Sequence, residues 1–173
     1  MAKCEARRDA GNAAWSDTLP SMPQRSISEL MNPVVVSARP GMTVAEVRSL
    51  LATRGITGAP VVDDSGKILG VVSQSDLVRQ TELGTTVGES GRFFTSVNEY
   101  RDLANLPRDL SDAPVESLMS KEVYTVPRDA SAAVGASIMR ERKVHRLLVT
   151  DQGVLVGVVT SLDLLRVVEE SSS

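Results

Sequence analysis

Gly70-Val71-Val72-Ser73-Gln74-Ser75-Asp76-Leu77-Val78-Arg79 decides the reading of this chain, because the sequence writes it again as Gly157-Val158-Val159-Thr160-Ser161-Leu162-Asp163-Leu164-Leu165-Arg166. Each copy holds a glycine, two valines, a hydroxyl residue and, three positions on, an aspartate. The apolar pair ahead of the hydroxyl predicts a short buried strand that turns directly into a helix. The hydroxyl then stands at the helix start and the carboxylate in its first turn, which is the spacing of a capping box. Unpaired N–H groups at that end need acceptors, and an acid there also suits the helix dipole. Helix capping therefore explains both motifs without a ligand, and Asn, Glu or Gln would serve it as well.

The two copies close two longer repeats. In the first, residues 27–79, Ile27-Ser28-Glu29-Leu30-Met31 predicts one helical turn broken by Asn32-Pro33, and Val34-Val35-Val36-Ser37 a short strand. After the Pro40-Gly41 turn, Thr43 and Glu46 have capping-box spacing. They precede a helix whose Val44, Val47, Leu50 and Leu51 share one face, and Gly55 stops it. Ala59-Pro60-Val61-Val62 and Ile68-Leu69-Gly70-Val71-Val72 predict two strands around an Asp63-Asp64-Ser65-Gly66 hairpin turn. The second repeat, residues 115–168, follows the same order. Met119 stands 88 residues after Met31, an offset that holds to Asp151 against Asp63 and falls to 87 at Gly153 against Gly66. A one-residue change confined to a surface turn is what a duplicated fold tolerates.

Residues 1–26 read as a flexible polar tail, and residues 169–173 as a short second one. Trp15 is expected to pack on its own domain or on a second copy, and the single Cys4 has no second thiol for a disulfide or a metal site. Residues 80–114 form an insert in which Phe93, Val97, Tyr100 and Ala104 lie three and four apart. That spacing predicts an amphipathic helix that packs on the body or receives a partner. The 173 residues are 42% hydrophobic and 3% aromatic, so the core must be aliphatic. A net charge of −3 offers no basic surface for nucleic acid or acidic lipid. No run is apolar enough for a membrane span or a signal core, and a cytoplasmic setting is expected.

Strand, helix, strand, strand, helix, closed by Gly-x-x-Ser/Thr-x-x-Asp and written twice, resembles a tandem of CBS domains, often termed a Bateman module. The resemblance covers residues 27–168 and rests on several matches. They are Glu29-Leu30-Met31 and Ser117-Leu118-Met119 at the openings, Gly58-Ala59-Pro60-Val61-Val62 and Val144-His145-Arg146-Leu147-Leu148-Val149 ahead of the hairpins, and the doubled terminal motif. It implies an α+β fold, a CBS-domain pair whose two βαββα repeats pack with pseudo-twofold symmetry as two three-stranded sheets. Two clefts between the repeats would hold an adenosine-containing ligand: AMP, ADP or ATP first, S-adenosylmethionine or NAD behind them. The family also implies disc-like homodimers and regulation of another protein, here unidentified.

On that resemblance the terminal motifs acquire a second use. Asp76 and Asp163, as acceptor-only carboxylates, suit a ribose diol. Ser73 and Thr160, with the helix N-terminal amides, suit a phosphate, and Gly70 and Gly157 would let backbone approach the ligand. The second cleft is expected to be the stronger. It has His145 and Arg146 to face phosphates, with Leu147 and Arg146 backbone and Tyr124 toward the base, and Thr125 toward base or phosphate. His145, the only histidine, would also make binding depend on pH. The first cleft has Thr57-Gly58 in place of His145-Arg146, with Ala59, Pro60, Val36 and Ser37 as its remaining lining.

Two functions from different classes follow: a non-catalytic sensor that binds an adenine nucleotide, and a ligand-free interaction or dimerisation module. No Ser-His-Asp spacing, metal-ligand cluster or glycine-rich phosphate loop supports an enzyme.

Overall fold

The computed structural model, which describes residues 25–77, 93 and 112–170, carries the two repeats through the same course. Repeat 1 opens with the short helix α1 (Ile27–Leu30), followed by α2 (Val44–Arg54) and the hairpin of β1 (Gly58–Val62) and β2 (Ile68–Ser73), and residues 74–77 turn straight into a helix. Repeat 2 opens with a 3-10 turn (Val115–Ser117), then β3 (Thr125–Pro127), α3 (Ala132–Arg142), β4 (Arg146–Asp151), β5 (Val154–Thr160) and α4 (Ser161–Glu170). The chain is thus α+β and built twice from one plan. The N-terminal tail with Cys4 and Trp15, the short C-terminal tail, and Val97, Tyr100 and Ala104 of the expected insert helix lie outside the described residues, apart from the tails' inner ends.

Local chemistry sets the element ends. Thr43 Oγ1 accepts from Glu46 N–H at 3.2 Å while Glu46 Oε2 accepts from Thr43 N–H at 2.7 Å, the expected capping box. Ser131, at the matching place, accepts from Val134 N–H at 3.4 Å, but Val134 has no carboxylate to close the box. Gly55 ends α2 at φ 62°, and Lys143 takes the same left-handed turn at φ 55° after α3. Both hairpins are antiparallel and shift register at equivalent steps, Val61/Val62 and Val149/Thr150.

The first strand of repeat 1 departs from expectation. Val34–Ser37 forms no ladder among the described residues. Ala38 alone bridges to β1, donating to Pro60 O at 2.9 Å and accepting from Val62 N–H at 3.0 Å. Its counterpart Val126 lies in a three-residue parallel ladder between β3 and β4. That ladder is prolonged by Leu148 N–H to Tyr124 O at 3.1 Å and Arg128 N–H to Thr150 O at 3.0 Å. Repeat 1 has Pro60 and Pro40 at the two donor positions, and proline has no N–H. Two prolines therefore reduce one of the two expected three-stranded sheets to a hairpin and a bridge.

The pseudo-twofold packing exchanges the opening segments. Asn32 of repeat 1 bridges to Val158 of β5, and the matching Ser120 of repeat 2 bridges to Val71 of β2, through two hydrogen bonds each of 2.8–3.0 Å. Ser26 pairs with Ser131, and Thr43 with Pro114, in the same exchanged sense. The cores are exchanged as well. Ile27 and Leu30 pack with Leu147, Leu148, Val149 and Val159, whereas Val115, Leu118 and Met119 pack with Val47, Leu51, Val61 and Val72. Full burial of a side chain such as Ile27 contributes about 1.5–3 kcal/mol, so neither repeat completes its core alone. The crossing explains Gly70 and Gly157. A Cβ on Gly70 would lie 2.5 Å from Ser120 O and 2.9 Å from Met119 Sδ; one on Gly157 would lie 2.6 Å from Met31 Sδ and 3.1 Å from Asn32 O. These glycines admit the other repeat's backbone, not the ligand approach anticipated for them.

Candidate functional site

The two Gly-x-x-Ser/Thr-x-x-Asp motifs fold identically. Asp76 Oδ2 accepts from Ser73 N–H at 2.8 Å and from Ser73 Oγ–H at 2.7 Å, and Ser73 Oγ accepts from Asp76 N–H at 3.3 Å. Asp163 and Thr160 reproduce the same three bonds at 2.8, 2.7 and 3.3 Å. Both are complete capping boxes. A hydroxyl has one proton, and in each motif it is committed to the aspartate. Ser73 and Thr160 therefore have no proton left for a phosphate while the cap is closed. In the second motif the cap uses Oδ2 alone, and Asp163 Oδ1 has no partner among the described residues.

The strands bring the other expected residues to the same end of each sheet. Arg146 pairs with Thr160 across β4 and β5, and Gly58 with Ser73 across β1 and β2. Tyr124 and Thr125 join the second set through Leu148, and Val36 and Ser37 precede the Ala38 bridge to Pro60 in the first. Leu147, Ala59 and Pro60 are buried, so backbone is what they can present. Thr125 is exposed, and Val36 and Ser37 are half-buried. The half-buried Tyr124 packs its ring on the core and donates its hydroxyl to Glu122; that hydrogen bond raises its pKa above the usual tyrosine value.

His145 and Arg146, expected to act together, part company. Neighbouring residues along an extended chain point to opposite sides. His145 is exposed and lines an open cavity with Met139, Arg140, Lys143, Val144 and Ser161. The half-buried Arg146 instead sets its guanidinium 5.3 Å from the ring centre of Phe93, a cation–π distance. Burial pushes the Arg146 pKa below its ordinary value.

Sequence reasoning placed Phe93 on an insert helix and missed its place between the repeats. The ring is 5% exposed, and a Cβ on Gly58 would lie 2.7 Å from its Cδ2. Gly58 and Arg146 are equivalent positions, so one aromatic side chain fills the space between them. The signal was the bare Gly58 opposite an arginine in the other copy. Gln74 was also missed. It is 2% exposed, donates from Nε2 to Ile56 O at 3.2 Å, and has no partner for Oε1 among the described residues. The described residues contain no group of three or more His, Cys, Asp or Glu side chains placed to hold a metal ion.

The family profile described as CBS domain matches residues 27–82 and 115–170. An inosine-5'-monophosphate dehydrogenase of Halobacterium salinarum is 31% identical over 140 residues, covering 80% of this chain and 23% of that protein. An A-adding tRNA nucleotidyltransferase of Aquifex aeolicus is 25% identical over 83% of this chain and 14% of its own length, so the chain spans a minor part of either relative. Among solved structures, CBSX2 in complex with AMP is similar at a TM-score of 0.62 and 24% identity, covering 86% of this chain and 98% of that one. The CBS domain of a bacterial CNNM/CorC family Mg2+ transporter in complex with ATP is similar at a TM-score of 0.60 and 24% identity, covering 83% and 87%.

Proposed function

The chain belongs to the CBS-domain family, and on that premise we propose that it is a non-catalytic regulatory module that binds an adenosine nucleotide, AMP, ADP or ATP, between its two repeats. The observation that carries this reading is the division of labour on Asp163. One carboxylate oxygen closes the helix cap, and the other, without a partner among the described residues, remains to accept from a ribose hydroxyl. Capping and binding are compatible on one side chain.

The AMP and ATP held by two proteins of the same fold support the ligand class. The second cleft is the principal site, with Thr160 and Asp163 toward the ribose, Tyr124, Thr125 and the Leu147 backbone toward the base, and Arg146 toward phosphate. In the first cleft, Phe93 packs against Gly58, which weakens binding at Asp76.

Regulation requires that the ligand favour one arrangement of the module over another. A regulated protein in the cytoplasm and a second copy of this chain are the partners in this reading. The pairing of copies is supported by α4, which leaves Leu162, Leu165 and Val168 exposed three residues apart. No described helix is long and apolar enough to cross a membrane.

A thermal-shift panel of AMP, ADP, ATP, NAD(H) and S-adenosylmethionine tests the proposal. A ligand at a hundred times its Kd stabilises by about 2.7 kcal/mol, or several degrees in Tm. The expected result is a shift with an adenine nucleotide that Asp163→Ala abolishes. A flat panel would leave the doubled motif as helix capping and favour a dimerisation module.

A further inference from the structure

The duplication offers an internal control for the cavity beside His145. That cavity, of about 330 Å³, is lined by Met139, Arg140, Lys143, Val144, His145 and Ser161. The matching residues of repeat 1 are Leu51, Ala52, Gly55, Ile56, Thr57 and Gln74. The two backbones coincide bond for bond. Gln74 N–H donates to Thr57 O at 2.9 Å, as Ser161 N–H does to His145 O. Ile56 N–H donates to Leu51 O at 3.0 Å, and Val144 N–H to Met139 O at 2.9 Å. In repeat 1 the Gln74 carboxamide fills the equivalent space and donates to Ile56 O. In repeat 2 the shorter Ser161 leaves that space open.

The same comparison adds charge. Repeat 2 surrounds the opening with Arg140, Lys143 and His145 where repeat 1 has Ala52, Gly55 and Thr57. A helix C-terminus alone attracts cations, but Arg142 already matches Arg54 in that role, and α2 ends without the other two. Among the described residues none of the three is ion-paired. Lys143 is moreover held in a left-handed turn at φ 55°, where repeat 1 uses the unstrained glycine.

We propose that this cavity, bounded by the end of α3 and the start of α4, is a separate binding site for a phosphoryl group. Arg140, Lys143 and His145 would take its oxygens, the Ser161 hydroxyl would donate to it, and Met139 and Val144 would wall the carbon body of a small phosphoester. Its volume is at the small end of the roughly 300–1,000 Å³ of small-molecule sites. It stands apart from the cleft: neither Thr160, Asp163 nor Arg146 lines it. The proposal therefore does not depend on the nucleotide reading.

The chain has one histidine, so the ring resonances of His145 are a direct reporter. The full-length protein is titrated at fixed pH with inorganic phosphate and, separately, with glycerol 3-phosphate, against sodium chloride of equal ionic strength. A saturable shift is expected in the native chain and, undiminished, in Asp163→Asn, whose amide oxygen still caps the start of α4. Ser161→Gln, which restores the side chain of repeat 1, and Lys143→Gly, which the left-handed turn accommodates, should each weaken it about tenfold or more. The tighter of the two titrants identifies free phosphate or a phosphoester as the ligand form. A shift that chloride reproduces, or that persists unchanged in both variants, overturns the proposal. So does a shift abolished by Asp163→Asn, which keeps the cap but replaces the carboxylate, and which would return His145 to the nucleotide cleft.

Discussion

The two repeats share a framework and differ in what fills it. Both close their terminal helices with the same three-bond box, exchange their opening segments, and bulge at equivalent steps of the hairpin. Repeat 1 is the filled version. Prolines shorten its sheet, Gln74 occupies the space under its last helix, and Phe93 covers Gly58. Repeat 2 is the open version, with a full three-stranded sheet, the short Ser161, and Arg146 at the place of Gly58. What the copies hold in common is what the exchanged packing requires. What they hold separately gathers at the ends of β1 and β4 and at the start of the terminal helices, where side chains reach the space between elements.

The strongest way to break the comparison is to remove the residue between the two versions. Phe93→Ala deletes a ring that is 5% exposed and lies between Gly58 and Arg146. Buried Phe→Ala substitutions cost about 3–5 kcal/mol, and the lost cation–π contact adds about 0.5–1 kcal/mol. Urea denaturation should show that loss as a lower midpoint with a similar slope. A change below about 1 kcal/mol would mean that the ring is not held between the repeats.

The exchange of opening segments makes a paired prediction. Gly70→Ala and Gly157→Ala each force a methyl against the other repeat, and overpacking of this kind costs about 1–3 kcal/mol. The first should cost more. Its Cβ meets a backbone oxygen, Ser120 O, at 2.5 Å, whereas the Gly157 Cβ meets first the Met31 thioether, which can rotate away, at 2.6 Å. Thermal unfolding of the two variants orders them. Equal or reversed losses would contradict the crossing geometry.

Much of this is legible in the sequence alone. Thr43 and Glu46 mark a helix start, Gly55 a helix stop, and the 88-residue offset the duplication, because each is a local or repeated pattern. The fate of Val34–Ser37 was written less openly, in Pro40 and Pro60, since a missing N–H matters only once its intended acceptor is known. Exchange was not legible. Leu30-Met31 and Leu118-Met119 announce apolar turns, but nothing in either stretch says that each packs on the other copy. The split of His145 from Arg146 likewise depends on what stands on each side of β4. Phe93 and the arginine lie 53 positions apart, and only the fold brings them together.

A smaller effect separates the two helix ends. A side chain in the left-handed region costs about 1–2 kcal/mol, partly offset because glycine loses about 0.5–1 kcal/mol more on folding. Lys143→Gly should therefore stabilise by up to about 1 kcal/mol, and Gly55→Lys should destabilise by a similar amount. Calorimetry on the pair reads both signs, and matching signs would refute the equivalence of the turns.

The last distinction lies in the hairpin turns and is a matter of pH. In the longer turn, Asp63 Oδ1 accepts from Ser65 Oγ–H at 2.6 Å, Ser65 N–H at 2.9 Å and Lys67 N–H at 3.0 Å, and the first of these leads in lowering its pKa below the ordinary 3.8. In the shorter turn, Asp151 reaches across to Arg128 at 3.1 Å instead. A carboxylate whose folded pKa lies below its unfolded one contributes stability that is present above the unfolded value and lost as pH falls through the folded one. The first turn should therefore loosen below about pH 3.8, and Asp63→Asn should flatten that part of the stability–pH curve. The effect will be slight, because the group is solvent-exposed and screened by salt. Amide exchange at Ser65 and Lys67 is the sensitive measurement, since both N–H groups depend on the ionised carboxylate. Exchange rates in the native protein that show no acceleration as the acid limb is crossed, beyond the intrinsic pH dependence of exchange, would show that the ionised Asp63 carboxylate does not hold the first turn.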